Sequence, residues 1–266
     1  MRERGRHMQG VQTFGLLRST REPVETILEA LPHLGCTAVE PCICAEPIQG
    51  LERMAWPPDM IPHMAEVIRK NGMCIPSCHV FVRSVAAEAD WLRTLAETYG
   101  IEYFVVKSPE DLSESSLRRA AEELRAAAEK LGDSARILIH NEQADISRTY
   151  HGKTACEVLA DLAGDRIGLE VDVGWVLAGG MDPDTFVQRN LERIRALHLK
   201  DFVRSDDAWT EVSIGLGQVQ AAAFADLAER LNIPVLADQD RFGDNALEEL
   251  AQVFRRIRKT GKEHTS

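Results

Sequence analysis

Gly168-Leu169-Glu170-Val171-Asp172 alternates apolar and acidic side chains. In an extended strand successive side chains point to opposite faces, so Leu169 and Val171 share one face and Glu170 and Asp172 the other. The apolar pair suits a covering layer of helices. The acidic pair then faces the inside of a closed sheet, with Asp172 at its C-terminal rim. The same alternation in Ala196-Leu197-His198-Leu199-Lys200-Asp201 puts His198 and Lys200 inside and both leucines outside. Two further segments end on polar clusters, His140-Asn141-Glu142 and Asp238-Gln239-Asp240.

Outward from these segments, short β-branched runs alternate with longer amphipathic ones. Strands are predicted over 11–15, 37–40, 73–80, 103–106, 136–141, 168–172, 196–200 and 234–238. Between them apolar residues recur at helical spacing, as in Val24, Ile27, Leu28 and Leu31, in Leu117, Ala121, Leu124 and Ala128, and in Leu250, Val253, Phe254 and Ile257. Pro57-Pro58, Pro109 and Pro183 stand near helix starts, and Gly72, Gly100 and Gly132 near helix ends. This rhythm predicts an α/β fold, a single-domain (β/α)8 TIM barrel over 11–260 behind a flexible segment, 1–10. The stretch 202–220 reads as an irregular rim loop.

The chain has 266 residues, within the range of one such barrel, and its 44% hydrophobic content is enough for a large core. A net charge of −11 argues against a nucleic-acid or anionic-membrane surface. The basic runs 2–6 and 255–262 are terminal and read as solvated ends. No run of 18 apolar residues and no leader pattern is present, so a cytoplasmic protein is expected. Six cysteines lack zinc-knuckle spacing and fall in or beside apolar runs, where they read as buried thiols.

Ionisable groups inside a barrel are costly unless paired, hydrogen-bonded or bound to a metal. Carboxylates and an imidazole at four strand ends point to an oxygen-rich site for one divalent ion: Mn, Mg, Co or Zn. His140-Asn141-Glu142-Gln143-Ala144-Asp145, Glu170-Val171-Asp172-Val173-Gly174-Trp175, His198-Leu199-Lys200-Asp201 and Asp238-Gln239-Asp240 resemble, in order and spacing, segments of the xylose-isomerase-like sugar isomerases, epimerases and dehydratases. Gly35-Cys36-Thr37-Ala38-Val39-Glu40 resembles that family's second strand.

The resemblance implies Asp145, Asp172, His198 and Asp238 as metal ligands. Both family glutamates are then aspartates here, and Glu142 stands where some members carry a proton-transferring histidine. It implies an isomerase or epimerase of carbohydrate metabolism acting on a sugar or keto-sugar, in which the metal stabilises an enediolate after an α-proton leaves. Glu142 is the first candidate for the base, Asp238 or Asp145 the alternative from the metal shell, and Lys200 polarises a substrate oxygen or receives a proton. His79, His140, Trp175, Gln239, Arg241 and Glu40 are candidates for binding hydroxyls or a sugar face. His7, His33, His63, His151 and His264 are expected to do nothing chemical.

A polyol dehydratase or lyase begins with the same proton abstraction. A non-catalytic sugar-binding or partner-subunit barrel is the reading in which metal chemistry is lost. An apurinic-site endonuclease would need a multi-zinc cluster and a basic groove, which this acidic chain does not suggest. Gly215-x-Gly217 is the one candidate for a phosphate cradle. Trp56-Pro57-Pro58, read as exposed, offers a contact for a homodimer and fits a surface turn equally well.

Overall fold

Each of the eight predicted strands has a strand at its place, several with shifted bounds. The computed structural model describes residues 8–206 and 208–259, and joins these strands into one parallel sheet. They are β1 Gln9–Gln12, β2 Ala38–Glu40 with its continuation Cys42–Cys44, β3 Ser77–Phe81, β4 Tyr103–Lys107, β5 Arg136–His140, β6 Ile167–Asp172, β7 Ile194–Leu199 and β8 Val235–Ala237. The expected runs 2–6 and 260–262, together with His7 and His264, lie outside the described residues.

Pro41 interrupts β2 at the closing seam. Proline has no N–H to give a ladder, and it splits β2 into two pieces, the first of which also bridges from Ala38 to Cys74 ahead of β3. Ala38–Glu40 pairs with β1, which pairs with β8, and Cys42–Cys44 pairs with β3. Since β3 runs on through β4, β5, β6 and β7 back to β8, the ring is complete. The carbonyl of Pro41 still accepts from His79 N–H at 3.0 Å.

Among the described residues eight longer helices cover the outside: α1 Val24–Leu34, α2 Ile61–Lys70, α3 Ala89–Tyr99, α4 Glu114–Leu131, α5 Ala155–Ala163, α6 Pro183–Asn190, α7 Ala221–Leu231 and α8 Ala246–Lys259. Their predicted apolar stripes are buried, as at Ile27, Leu28, Leu117, Ala121, Leu250 and Phe254. Pro183 opens α6 behind the Asp182 cap, and Gly100 and Gly132 end α3 and α4. Leu169, Val171, Leu197 and Leu199 pack into this outer core, as their alternation required. Val105, Leu138 and Ala196 form a small inner plug with Tyr103 against it.

Four expectations are corrected. β1 starts at Gln9, inside the segment expected to be flexible, and ends at Gln12, where its side chain accepts from Phe14 N–H at 2.7 Å and caps a helix, Thr13–Ser19. β3 begins only after Pro76. The stretch read as irregular contains an antiparallel hairpin, Asp201–Ser205 with Ala208–Val212. Trp56 is buried, its ring N–H donating to Arg53 O at 3.2 Å, so it offers no surface for pairing two chains.

Gly15 sits where the short helix after β1 crosses the end of β8, and a Cβ there would overlap the carbonyl of Gln239. Overpacking of this kind costs about 1–3 kcal/mol, and a backbone carbonyl cannot turn aside. Gly15→Ala is therefore expected to lower the urea midpoint at unchanged slope. A midpoint equal to the parent's would show that the crossing is looser than described.

Candidate active site at the barrel mouth

Alternation along β2, β3, β5, β6 and β7, together with the end of β8, delivers buried polar side chains to the inside of the barrel. Glu40, His79, His140, Glu170, Asp172, His198 and Lys200 are all buried there, and Asp238 is only 9% exposed. The three imidazoles lie together, with ring centroids 5.0 Å apart for His79–His140 and His140–His198 and 5.5 Å for His79–His198.

His198 joins the two halves of the cluster. Its Nε2 lies 2.8 Å from Glu40 Oε1 and 3.3 Å from Glu170 Oε2, and its Nδ1 lies 3.3 Å from Asp238 Oδ2. His79 Nε2 meets the same carboxylates, Glu170 Oε2 at 2.9 Å and Glu40 Oε1 at 3.2 Å. The other Glu40 oxygen accepts from the Ser77 hydroxyl. Burial alone would push Glu40 up, but His198 and His79 outweigh it and hold it well below the usual carboxylate range. Burial likewise disfavours the charged form of His79, yet Glu40 and Glu170 bring it up to about 9.

Asp172 is held from three directions. Its N–H donates to Asn141 Oδ1 at 3.0 Å, its carbonyl accepts from Asn141 Nδ2 at 3.0 Å, and its Oδ1 caps the helix Val173–Ala178 by accepting from Trp175 N–H at 2.9 Å. That leaves Oδ2 buried without a partner. Burial drives Asp172 up to about 8; the Asp238 carboxylate adds to the rise and Lys200 opposes it. Both ring nitrogens of His140 are also buried without a hydrogen bond, and its Nε2 is 3.9 Å from Asp172 Oδ2. Burial, reinforced by His198 and His79, pushes His140 far down and leaves a neutral imidazole.

Among the described residues, two overlapping sets of four ligand atoms lie within 4.8 Å of one another: His140, Asp172, His198 and Asp238, and His79, His140, Glu170 and His198. Buried polar atoms without partners are rare and call for a reason. In the first set a neutral imidazole and a free carboxylate oxygen face two further donors, which fits a divalent cation.

Lys200 is fully buried, with Nζ 3.0 Å from Asp240 Oδ1, 3.3 Å from Asp238 Oδ2 and 3.6 Å from Glu211 Oε1, and 5.1 Å from the Trp175 ring centre. Burial would favour its neutral form, but Asp238, Asp172, Asp240 and Glu211 keep it protonated. Asp238 gains in turn: against the upward push of burial, Lys200 and His198 hold it well below the usual range.

Other candidates from the sequence fall elsewhere. Asp145 belongs to neither ligand set. It is the third residue of the helix Gln143–Ser147, where its Oδ2 accepts from Glu142 N–H at 3.2 Å in a capping box. His140, expected to bind substrate, belongs to both sets of potential ligand atoms. Glu142 lies half-exposed in an ion pair with Lys107. Gln239 has its amide consumed by the fold: Oε1 accepts from Ile214 N–H at 3.2 Å, and Nε2 donates to Glu249 at 3.0 Å. Glu40 is closed off inside the barrel, and Arg241 is exposed on the loop beyond β8. Trp175 packs against Phe202 with centroids 4.9 Å apart. Glu211, Asn141 and Glu170 are further partners; Glu170 carried a sequence signal in its period-two place beside Asp172 and Asn141 in the polar end of its strand, whereas Glu211 carried none.

Gly215-x-Gly217 is no phosphate cradle. The N–H groups of Gly215 and Gly217 donate to Asp201 Oδ2 at 2.9 and 2.8 Å, and those of Phe202 and Val219 donate to Oδ1, each at 2.9 Å. Leu216 and Gln218 donate to the carbonyls of Ser213 and Phe202.

The sequence model described as "xylose isomerase-like TIM barrel" matches residues 28–260. No curated protein is similar enough in sequence to count as a match. Among solved structures, a sugar phosphate isomerase/epimerase from Parabacteroides distasonis ATCC 8503 is similar with a TM-score of 0.70 at 17% identity, over 95% of this chain and 94% of that one. A probable 3-DHS dehydratase from Bacillus anthracis, involved in petrobactin synthesis, gives 0.70 at 12%, over 93% and 97%. A xylose isomerase-like TIM barrel protein from Mycobacterium smegmatis, in complex with magnesium, gives 0.66 at 17%, over 93% and 94%. At these identities the likeness shows the fold. Among the described residues no helix is long and apolar enough to cross a membrane.

Proposed function

Because this chain belongs to the xylose isomerase-like TIM barrel family, we propose that its barrel mouth is a divalent-metal site for isomerising or epimerising a sugar or keto-sugar. The observation that carries this reading is the set His140, Asp172, His198 and Asp238, in which His140 and Asp172 Oδ2 have no other partner. A bound divalent ion would supply Lewis acidity toward a substrate carbonyl and its neighbouring hydroxyl.

The protein's own groups do the rest. Lys200, kept protonated by four acidic neighbours, donates a hydrogen bond to the substrate oxygen that gains charge. Glu142, two residues beyond His140 and half-exposed at the mouth, takes the α-proton and returns it. Asp240 and Glu211 fix the Lys200 ammonium, and Trp175 walls its other side. A dehydratase would use the same groups, with Lys200 protonating a departing β-hydroxyl; its ammonium, 3.0 Å from Asp240, is what favours that second reading. The substrate is a small polyhydroxylated molecule in either case.

The test is elemental analysis of protein purified without chelator, followed by solvent-deuterium exchange into a panel of keto-sugars. About one Mn, Co, Zn or Mg per chain with exchange into one sugar is the expected result. Failure to bind any of these ions when supplied would end the metal-enzyme reading and leave a sugar-binding or partner-subunit barrel.

A further inference from the structure

A cavity of about 810 Å³ opens beside the barrel mouth along the C-terminal ends of β3 and β4. One wall is apolar: Ile48, Val80, Phe81, Val82, Val85 and Val106 line it, and all but Val106 are half-exposed. Isolated apolar side chains at a surface are ordinary, but several turned into one concavity mark a ligand groove. The wall is anchored, since Val85 N–H donates to Glu123 Oε1 at 2.9 Å.

The inner end of the cavity is His79, whose ring stands 5.0 Å from His140 and 5.5 Å from His198. The cavity therefore adjoins the cluster at the mouth. Charges of both signs, Glu46, Arg83, Glu88, Lys107 and Glu123, line it as well, so it selects neither anions nor cations. Pockets of about 300–1,000 Å³ bury drug-sized ligands, so this one is far roomier than one sugar ring requires. Along the wall of valines and Phe81 a second sugar would fit poorly, because hydroxyls set against it would lose water and gain no partner there, whereas an apolar group would bury against it.

On the reading of the barrel mouth as a sugar site, we propose that the substrate is a two-part molecule: a polyhydroxylated head at the metal-ligand cluster and an uncharged alkyl or aryl substituent in this cavity.

The test uses alkyl β-D-glucosides from methyl to hexyl, titrated by displacement of the neutral dye N-phenyl-1-naphthylamine. Each methylene entering the cavity is expected to tighten binding about fourfold. Val85→Trp, which fills the cavity, and Ile48→Lys, which charges the apolar wall, should each flatten that series while the far-ultraviolet dichroism stays at the parent's. The matching alkanols should bind at least tenfold more weakly than the glucosides. A flat series in the parent, an unchanged slope in both variants, or alkanols binding as tightly as glucosides would each overturn the proposal. The titration is run with zinc supplied and needs no turnover; its slope with chain length reads the cavity alone, so failure of that slope is distinct from failure of the metal reading.

Discussion

Replacing Asp201 by Ala is expected to lower the unfolding free energy by about 2–4 kcal/mol, and replacing it by Asn should do nearly as much damage. The Asp201 side chain is buried and accepts four backbone N–H groups, two on each oxygen. Removing it leaves four donors, and each buried donor without a partner costs about 1–3 kcal/mol. The sum is smaller because Gly215 is exposed and its N–H regains water. Asn separates a need for a carboxylate from a need for bulk: turning one oxygen into an NH2 sets donor against donor on whichever side it faces. Urea unfolding of the three proteins reads the effect directly. An Asn variant within 0.5 kcal/mol of the parent would mean that two of the four bonds contribute almost nothing. Limited proteolysis offers a second readout, since the residues 213–219 that Asp201 ties down should be cut first in both variants.

Asp201 also shows where reading from sequence stops. A charged residue after an inward Lys200 was legible as a rim group, but its partners lie 14, 16 and 18 residues further on and are brought back only by the hairpin Asp201–Ser205 with Ala208–Val212. That hairpin carries Glu211 to Lys200 as well, which no local pattern announces. By contrast, Glu170, Asp172, His198 and Lys200 were legible because a strand's period of two is set by covalent geometry and needs no knowledge of neighbours. The assignment of Asp145 came from counting along a motif. β5 stops at His140 and the next helix starts at Gln143, so position 145 has become the third residue of that helix while position 140 keeps the strand's inward direction. The partners of Gln239 were equally hidden: Ile214 and Glu249, from elements after β7 and β8, occupy both ends of its amide.

His140→Leu is expected to abolish metal binding while leaving the metal-free protein at least as stable as the parent. His198→Ala is a poorer probe, because it strips a partner from fully buried Glu40 and Glu170, and breaking a buried pair costs about 3–5 kcal/mol by itself. His140 has no such partner. Both its nitrogens are buried without a hydrogen bond, so an apolar side chain of similar size removes two unsatisfied polar atoms and strands none. A residue that weakens the fold where it stands is one retained for something other than the fold. Loss of an outer-shell partner typically lowers metal affinity about 10–100-fold, and loss of one of four direct ligands should exceed that. Asp145→Asn is the control: the residue belongs to neither ligand set, and the variant should keep its metal. Two imidazoles beside two carboxylates also favour zinc or cobalt over magnesium, which prefers oxygen ligands. Thermal unfolding with and without zinc reads all of this at once. At 100 times the dissociation constant a bound ion adds about 2.7 kcal/mol, so the parent and Asp145→Asn should shift upward with zinc and His140→Leu should not. Retention of the shift in His140→Leu, or its loss in Asp145→Asn, would return the fourth ligand to the position that the family motif suggested.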